Sequence, residues 1–145
     1  FLSKLEPDTA NDVVFDIENV VENDVQGSGA GMIMTATTST GCLLASSALV
    51  ERGAKAEVVA ESVAKKFCEE LSHGGCTDEY LQDQLIIFAA LANGKSSILT
   101  GPLSLHTRTA LKFVGQLTGV EFQVTPLSDE KNHEDQAMLT RIECT

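Results

Sequence analysis

His106 has the clearest chemical potential of any residue in this chain. It falls where an apolar stretch, Ile98-Leu99-Thr100, passes through Gly101-Pro102 toward a helix-forming run from Thr107 to Leu117. A side chain at a strand-to-helix junction is held by the scaffold and still faces solvent, which is what an imidazole nucleophile requires. Its attacking nitrogen must be neutral, and a partner on the second nitrogen fixes the tautomer. Tyr80, Asp83 and Gln84 open the preceding helical run and form a second group. Tyr80 offers a flat ring for stacking on a base, and the other two are polar side chains one turn further on. Each residue has a plainer reading beside the chemical one. A histidine near a helix start is more often a cap or a packing residue, Tyr80 can be core, and Asp83 and Gln84 can be helix surface.

The elements that must position these residues read as follows. Thr77 is a suitable N-cap, and Asp78 and Glu79 suit the positive end of a helix dipole. Leu85 to Ala92 is apolar all round, which predicts a helix buried on several sides. Asn93-Gly94 ends it, and a strand at Ile98, the helix after His106 with Ala110, Val114 and Leu117 on one face, and strands at 121–125 and 138–144 complete an α-β-α-β-β order. Ahead of these, Val13 to Val21 reads as a partly alternating strand, with Val13, Phe15 and Ile17 on one face. Met32 to Thr38 and Leu43 to Leu49 read as two more strands, and Ala56 to Leu71 as an amphipathic helix carrying Val59, Val63, Phe67 and Leu71 at helical spacing. The expected fold class is α/β (α+β), with a small module at 1–75 and a second at 76–145, divided at Gly74-Gly75. The first module holds no chemically suggestive cluster.

Several unlike motifs occur together in a fixed order: HGG at His73 to Gly75, DEYLQDQL at Asp78 to Leu85, ALANG at Ala90 to Gly94 and TGPLSLHTRTA at Thr100 to Ala110, with TSTGCLLASSALVERG upstream at Thr38 to Gly53. With these motifs the chain resembles the C-terminal part of RNA 3′-terminal phosphate cyclase, over about Val13 to Val124. The resemblance implies an insert-type α/β module, residues 1–75, followed by part of a βαβαββ-type core repeat, residues 76–145. It implies that His106 is the catalytic residue, adenylylated by ATP, and that Tyr80, Asp83 and Gln84 lie beside the nucleotide. ATP and Mg2+ are the implied cofactors, and RNA with a 3′-phosphate end is the implied partner, converted to a 2′,3′-cyclic phosphate. No membrane or DNA partner is implied. The alternative is a non-catalytic relative of the same fold acting in ribosome biogenesis; such relatives do not keep the histidine present here as His106. An intracellular location follows, in the nucleus for a eukaryotic protein and otherwise in the cytoplasm. The start at Phe1 and the greater length of such cyclases predict a piece of a longer protein, inactive on its own.

Composition bounds the rest. A hydrophobic fraction of 43% with 21% charged residues is that of an ordinary globular protein, and no apolar run has membrane-spanning length. The net charge of −11, with ten scattered basic residues, argues against this segment gripping a phosphate backbone by itself. No signal peptide is visible, so the four cysteines are expected as free thiols, and no Asn-x-Ser/Thr sequon occurs. His73-x-x-Cys76 with Cys68 is one short spacing where a zinc site needs two, so no metal site is expected. Gln26 to Gly31 is glycine-rich but leads into a strand and reads as a hairpin loop. Gly94-Lys95-Ser96 follows a helix and lacks the earlier glycine of a P-loop.

Overall fold

The computed structural model describes residues 16–127 and 139–145. Strands β1 (Gly31–Thr37) and β2 (Leu43–Leu49) pair antiparallel, from Gly31 opposite Leu49 to Thr37 opposite Leu43. Gly41 closes the hairpin at φ 83, a left-handed conformation that favours glycine, and the Thr38 hydroxyl accepts a 3.0 Å bond from the Cys42 amide. Helix α1 (Ala56–Ser72) packs on this hairpin and buries Val59, Val63 and Phe67, one residue per turn, over a strand face that buries Leu44. Gly74, at φ 68, ends the helix as the sequence predicts.

Two expectations for this region need correction. Residues 16–21 are irregular and exposed, with Ile17 at 90%, and form no strand; Val13 and Phe15 lie outside the described residues. Alternation stabilises a strand only when a neighbour takes its backbone hydrogen bonds, and the pairing of the hairpin stops at β1 and β2. The glycine-rich 26–31 segment is the approach to β1, and the turn of the hairpin is formed by Thr38 to Cys42 instead.

Beyond Gly75 come α2 (Leu81–Leu91), β3 (Ser96–Thr100), α3 (Leu105–Thr118), β4 (Phe122–Pro126) and β5 (Thr140–Cys144). The α-β-α-β-β order is as read from the sequence. The second sheet runs β3-β5-β4, both outer strands antiparallel to the central β5. β3 and β4 are therefore parallel to each other and joined through α3, with β5 inserted between them. Ile86 of α2, Ile98 of β3 and Ile142 of β5 form the buried centre, and Leu85, Ala89, Leu103, Ala110, Leu111, Val114 and Phe122 pack around it. Ile98 and Ile142 are register partners, so the contact is set by strand pairing.

α2 is not buried on several sides. It packs on α3 and β3, while Phe88 and Leu91 are each 70% exposed; Leu117 of α3, read on the same face as Ala110 and Val114, is 85% exposed. Among the described residues one three-stranded sheet covers one side of the two helices, and nothing is layered on their outer sides. Thr77 does not cap α2: the Asp78 carboxylate accepts from the amides of Tyr80 (3.0 Å) and Leu81 (2.8 Å), and Thr77 turns inward. α3 starts at Leu105, two residues before the expected Thr107, because Ser104 caps it.

Ser46 leads to a stability prediction. It sits on the α1-facing side of β2, opposite Met34, 5% exposed, and its hydroxyl has no hydrogen-bond partner among the described residues. A buried hydroxyl without a partner is destabilising, so Ser46→Ala should raise unfolding stability by about 1 kcal/mol, read as a higher denaturation midpoint at unchanged slope. A lower midpoint would show that the hydroxyl is satisfied in solution.

Candidate functional site

His106 occupies the second position of α3, exposed, in a first turn whose own hydrogen bonds are closed. The Ser104 hydroxyl accepts from the Thr107 amide at 3.1 Å, and the Arg108 amide donates to the Ser104 carbonyl at 3.1 Å. Among the described residues the amides of Leu105 and His106 have no protein acceptor, and neither ring nitrogen of His106 has a partner. An exposed imidazole thus stands beside two free N–H groups at the positive end of a helix, an arrangement suited to meeting an anion.

The segment from Gly101 to Ser104 that carries this turn is gripped from α2 by Gln82, a residue without a role in the sequence reading. Gln82 is 2% exposed. Its amide nitrogen donates to the Pro102 carbonyl at 3.2 Å, and its amide oxygen accepts from the Ser104 amide at 3.3 Å and from the Thr107 hydroxyl at 2.9 Å. Thr107 is fully buried, and its hydroxyl also lies 2.9 Å from that of Ser104. The signal was present in the sequence: Gln82 precedes Ile86 by four residues, which puts a polar side chain on the buried face of α2.

The other end of the segment is fixed by close packing. Cys76 donates its amide to the Leu99 carbonyl at 2.7 Å, Thr77 forms a parallel bridge to Thr100, and the two buried hydroxyls of that pair lie 2.8 Å apart, Thr77 donating. A Cβ on Gly75 would come within 2.9 Å of the Thr100 Cα, and one on Gly101 within 2.8 Å of His73 Cγ. The HGG and TGP motifs therefore pack on each other. His73 lies against Gly101, with its side chain 18% exposed and Nδ1 3.9 Å from the Glu70 carboxylate. Burial pushes the His73 imidazole below the usual histidine range, against a smaller opposing pull from Glu69. Glu70 is pushed up, chiefly by burial and then by the negative charge of Glu79.

Tyr80 stands just before α2 and is 59% exposed, so it is not a core residue. Its hydroxyl accepts a 2.8 Å bond from Lys66 of α1, whose ammonium also pairs with Glu79 at 2.7 Å and lies 5.0 Å from the ring centroid. Those bonds hold Lys66 above the ordinary lysine range, and the bond from Lys66 holds Glu79 below the usual carboxylate range. The first module therefore reaches Tyr80 directly. Asp83 is half-buried and makes no ion pair among the described residues, while Gln84 is exposed and donates to the Tyr80 carbonyl at 2.9 Å. The network around Gln82 sets the starts of α2 and α3 side by side, but no hydrogen bond among the described residues joins His106 to Tyr80, Asp83 or Gln84.

Cys76 donates its thiol to the Leu99 carbonyl at 3.0 Å and Cys144 to the Ala89 carbonyl at 3.3 Å; all four cysteines are free. Among the described residues no three His, Cys, Asp or Glu side chains converge, so the carboxylates present do not by themselves fit a Mg2+ ion. No helix of the described residues is long and apolar enough to cross a membrane.

The family model of RNA 3′-terminal phosphate cyclase matches residues 5–124, and the chain belongs to that family. It is similar to a probable RNA 3′-terminal phosphate cyclase of Dictyostelium discoideum, 44% identical over 117 residues, a match covering 81% of this chain and 27% of that protein. An RNA 3′-terminal phosphate cyclase of Drosophila melanogaster is 40% identical over 97 residues, 67% of this chain and 27% of the relative. One of Pyrobaculum neutrophilum is 31% identical over 109 residues, 75% of this chain and 31% of the relative. The chain thus spans less than a third of the length of these relatives.

The His73 environment predicts a pH dependence. Its pKa in the folded protein is below the unfolded value of about 6.5, so the unfolded chain binds the proton more readily. The resulting stability is fully present above that value and is lost as pH falls through the lowered one. His73→Gln should therefore flatten the decline in stability below about pH 6.5. Glu70, whose carboxylate lies 3.9 Å away, titrates with the opposite sign, so the comparison is made on a Glu70→Gln background. Parallel stability curves for the two proteins would show that His73 is not held neutral by burial.

Proposed function

We propose that the complete polypeptide carrying this segment is an ATP-dependent RNA 3′-phosphate cyclase with His106 as its nucleophile. The observation that carries the reading is the exposed His106 imidazole on a capped and clamped first helical turn, in a chain of the cyclase family. An imidazole nitrogen of His106 attacks the α-phosphorus of ATP; the bond to the β-phosphate oxygen breaks, and pyrophosphate leaves. The product is a phosphoramidate joining His106 to AMP. An oxygen of the RNA 3′-phosphate then displaces His106 from that phosphorus and takes up the AMP. The neighbouring 2′-hydroxyl next attacks the activated 3′-phosphorus, AMP leaves, and its proton passes to solvent, which closes the 2′,3′-cyclic phosphate.

The free amides of Leu105 and His106 face the charge that develops at the transferring phosphoryl group. Tyr80 supplies a ring for adenine, and Asp83 and Gln84 supply polar contacts to the nucleotide. Mg2+ accompanies ATP as the charge-neutralising ion, with no ligands assigned to this segment. The junction near Gly75 is read as the boundary between an insert-like module, residues 1–75, and the end of a core repeat, residues 76–145. With a net charge of −11 here, the cations that hold RNA must come from elsewhere in the polypeptide.

Covalent labelling tests the nucleophile. Complete polypeptide incubated with α-labelled ATP and Mg2+ should acquire an acid-labile label, and His106→Ala should acquire none; undiminished labelling of that variant overturns the assignment. A second prediction concerns Tyr80. Its ring is mostly exposed, so Tyr80→Ala should leave the melting temperature nearly unchanged while weakening ATP binding by about 1–3 kcal/mol, and Tyr80→Phe should keep most of the affinity. Unchanged ATP affinity in folded Tyr80→Ala removes the stacking role.

A further inference from the structure

We infer that Gln82 is a positioning residue for His106: its buried side-chain amide sets the orientation in which the first turn of α3 presents the imidazole. The inference rests on the reading of His106 as the nucleophile and extends it to a residue that touches no substrate. Gln82 is 2% exposed, reached only by protein, and surrounded by the segment that leads to His106. Its three bonds end on Pro102, Ser104 and Thr107, so they bracket His106 in sequence on both sides. Two of them end on the capping pair itself, since Ser104 supplies the cap and Thr107 receives it.

The chemistry of the side chain is specific to this task. One end must donate, to the Pro102 carbonyl, and the other must accept twice, from the Ser104 amide and the Thr107 hydroxyl. Glutamate would set a carboxylate oxygen against the Pro102 carbonyl. Methionine, of similar length, would offer neither the donor to the Pro102 carbonyl nor the acceptor for the Ser104 amide and the buried Thr107 hydroxyl, which would keep only the Ser104 hydroxyl. In either case the turn relaxes to recover its hydrogen bonds, and His106 moves with it. Imidazole attack needs the nitrogen in line with the leaving oxygen at near-contact distance, so a small rotation of the turn slows the chemical step. The nucleotide contacts proposed for Tyr80 do not pass through this amide and are retained.

The test uses the complete polypeptide and single-turnover labelling with α-labelled ATP. Gln82→Met and Gln82→Glu should slow formation of the His106 adenylate by about ten- to a hundredfold, with ATP affinity within about twofold of the parent. Thr107→Val, which removes one partner of the amide, should slow it in the same direction, and Thr107→Ser, which restores the hydroxyl, should return it to the parent rate. A purely structural role would lower stability without dividing rate from affinity, and Thr107→Ser would then follow melting temperature and not labelling. Parent-rate labelling in folded Gln82→Met, or in folded Thr107→Val if the glutamine variants fail to fold, overturns the inference while leaving His106 as the nucleophile. Full labelling of His106→Ala overturns the underlying reading, and the positioning role with it.

Discussion

One glutamine side chain carries the arrangement on which the rest of the site depends. Gln82 reaches from α2 into the link between β3 and α3 and makes three hydrogen bonds there with none of its polar atoms left over. Buried polar groups confer a single geometry only when all are satisfied, because any alternative packing leaves one of them without a partner in a low-dielectric interior. That condition turns a loop, ordinarily the most variable part of a fold, into a fixed mount for the first turn of α3. The apolar contact among Ile86, Ile98 and Ile142 brings the elements together; the amide sets how the loop sits between them.

Around that clamp, small residues allow close approach. Gly75 lies on Thr100 and Gly101 lies under the His73 ring, at separations no side chain with a Cβ would tolerate without a shift. The HGG and TGP motifs, distant in sequence, are therefore two halves of one contact, and Thr77 and Thr100 close it with a buried hydroxyl pair. On the other side Lys66 ties α1 to Tyr80 and Glu79, which places the first module against the start of α2. The residues proposed for chemistry, His106 and Tyr80, are exposed at the tips of this framework; Gln82 and Thr107, which hold the turn at His106, are buried within it, and Lys66, which holds Tyr80, is half-buried.

Much of this was legible in the sequence. The amphipathic spacing of Val59, Val63 and Phe67 gave α1, and Ile98-Leu99-Thr100 before Gly101-Pro102 gave the strand and turn that lead to His106. The motif order gave the family, because several unlike segments at compatible spacing are improbable by chance. What was misread shares a cause. Thr77 reads as a cap until Thr100, 23 residues away, takes its hydroxyl. Residues 16–21 read as a strand, but among the described residues no strand pairs with them, and the apolar surface of α2 reads as buried until the sheet proves to cover only one of its sides among those residues. Gln82 carries no local signal of its role, since a polar residue in a helix is ordinarily surface, and only its alignment with Ile86 marks the face as internal. Local pattern fixes elements, whereas satisfaction of polar groups is settled by long-range partners that spacing does not reveal.

The most direct measurement of the central claim is a double-mutant cycle on unfolding stability between Gln82→Met and Thr107→Val. Their bond is 2.9 Å long and buried at both ends. If the amide is the clamp, the two changes act on one network. The double variant should then be less destabilised than the sum of the single variants, with a coupling of about 0.5–3 kcal/mol. Additivity within about 0.3 kcal/mol would mean that Gln82 and Thr107 act independently, and the account of how the loop is held would be wrong.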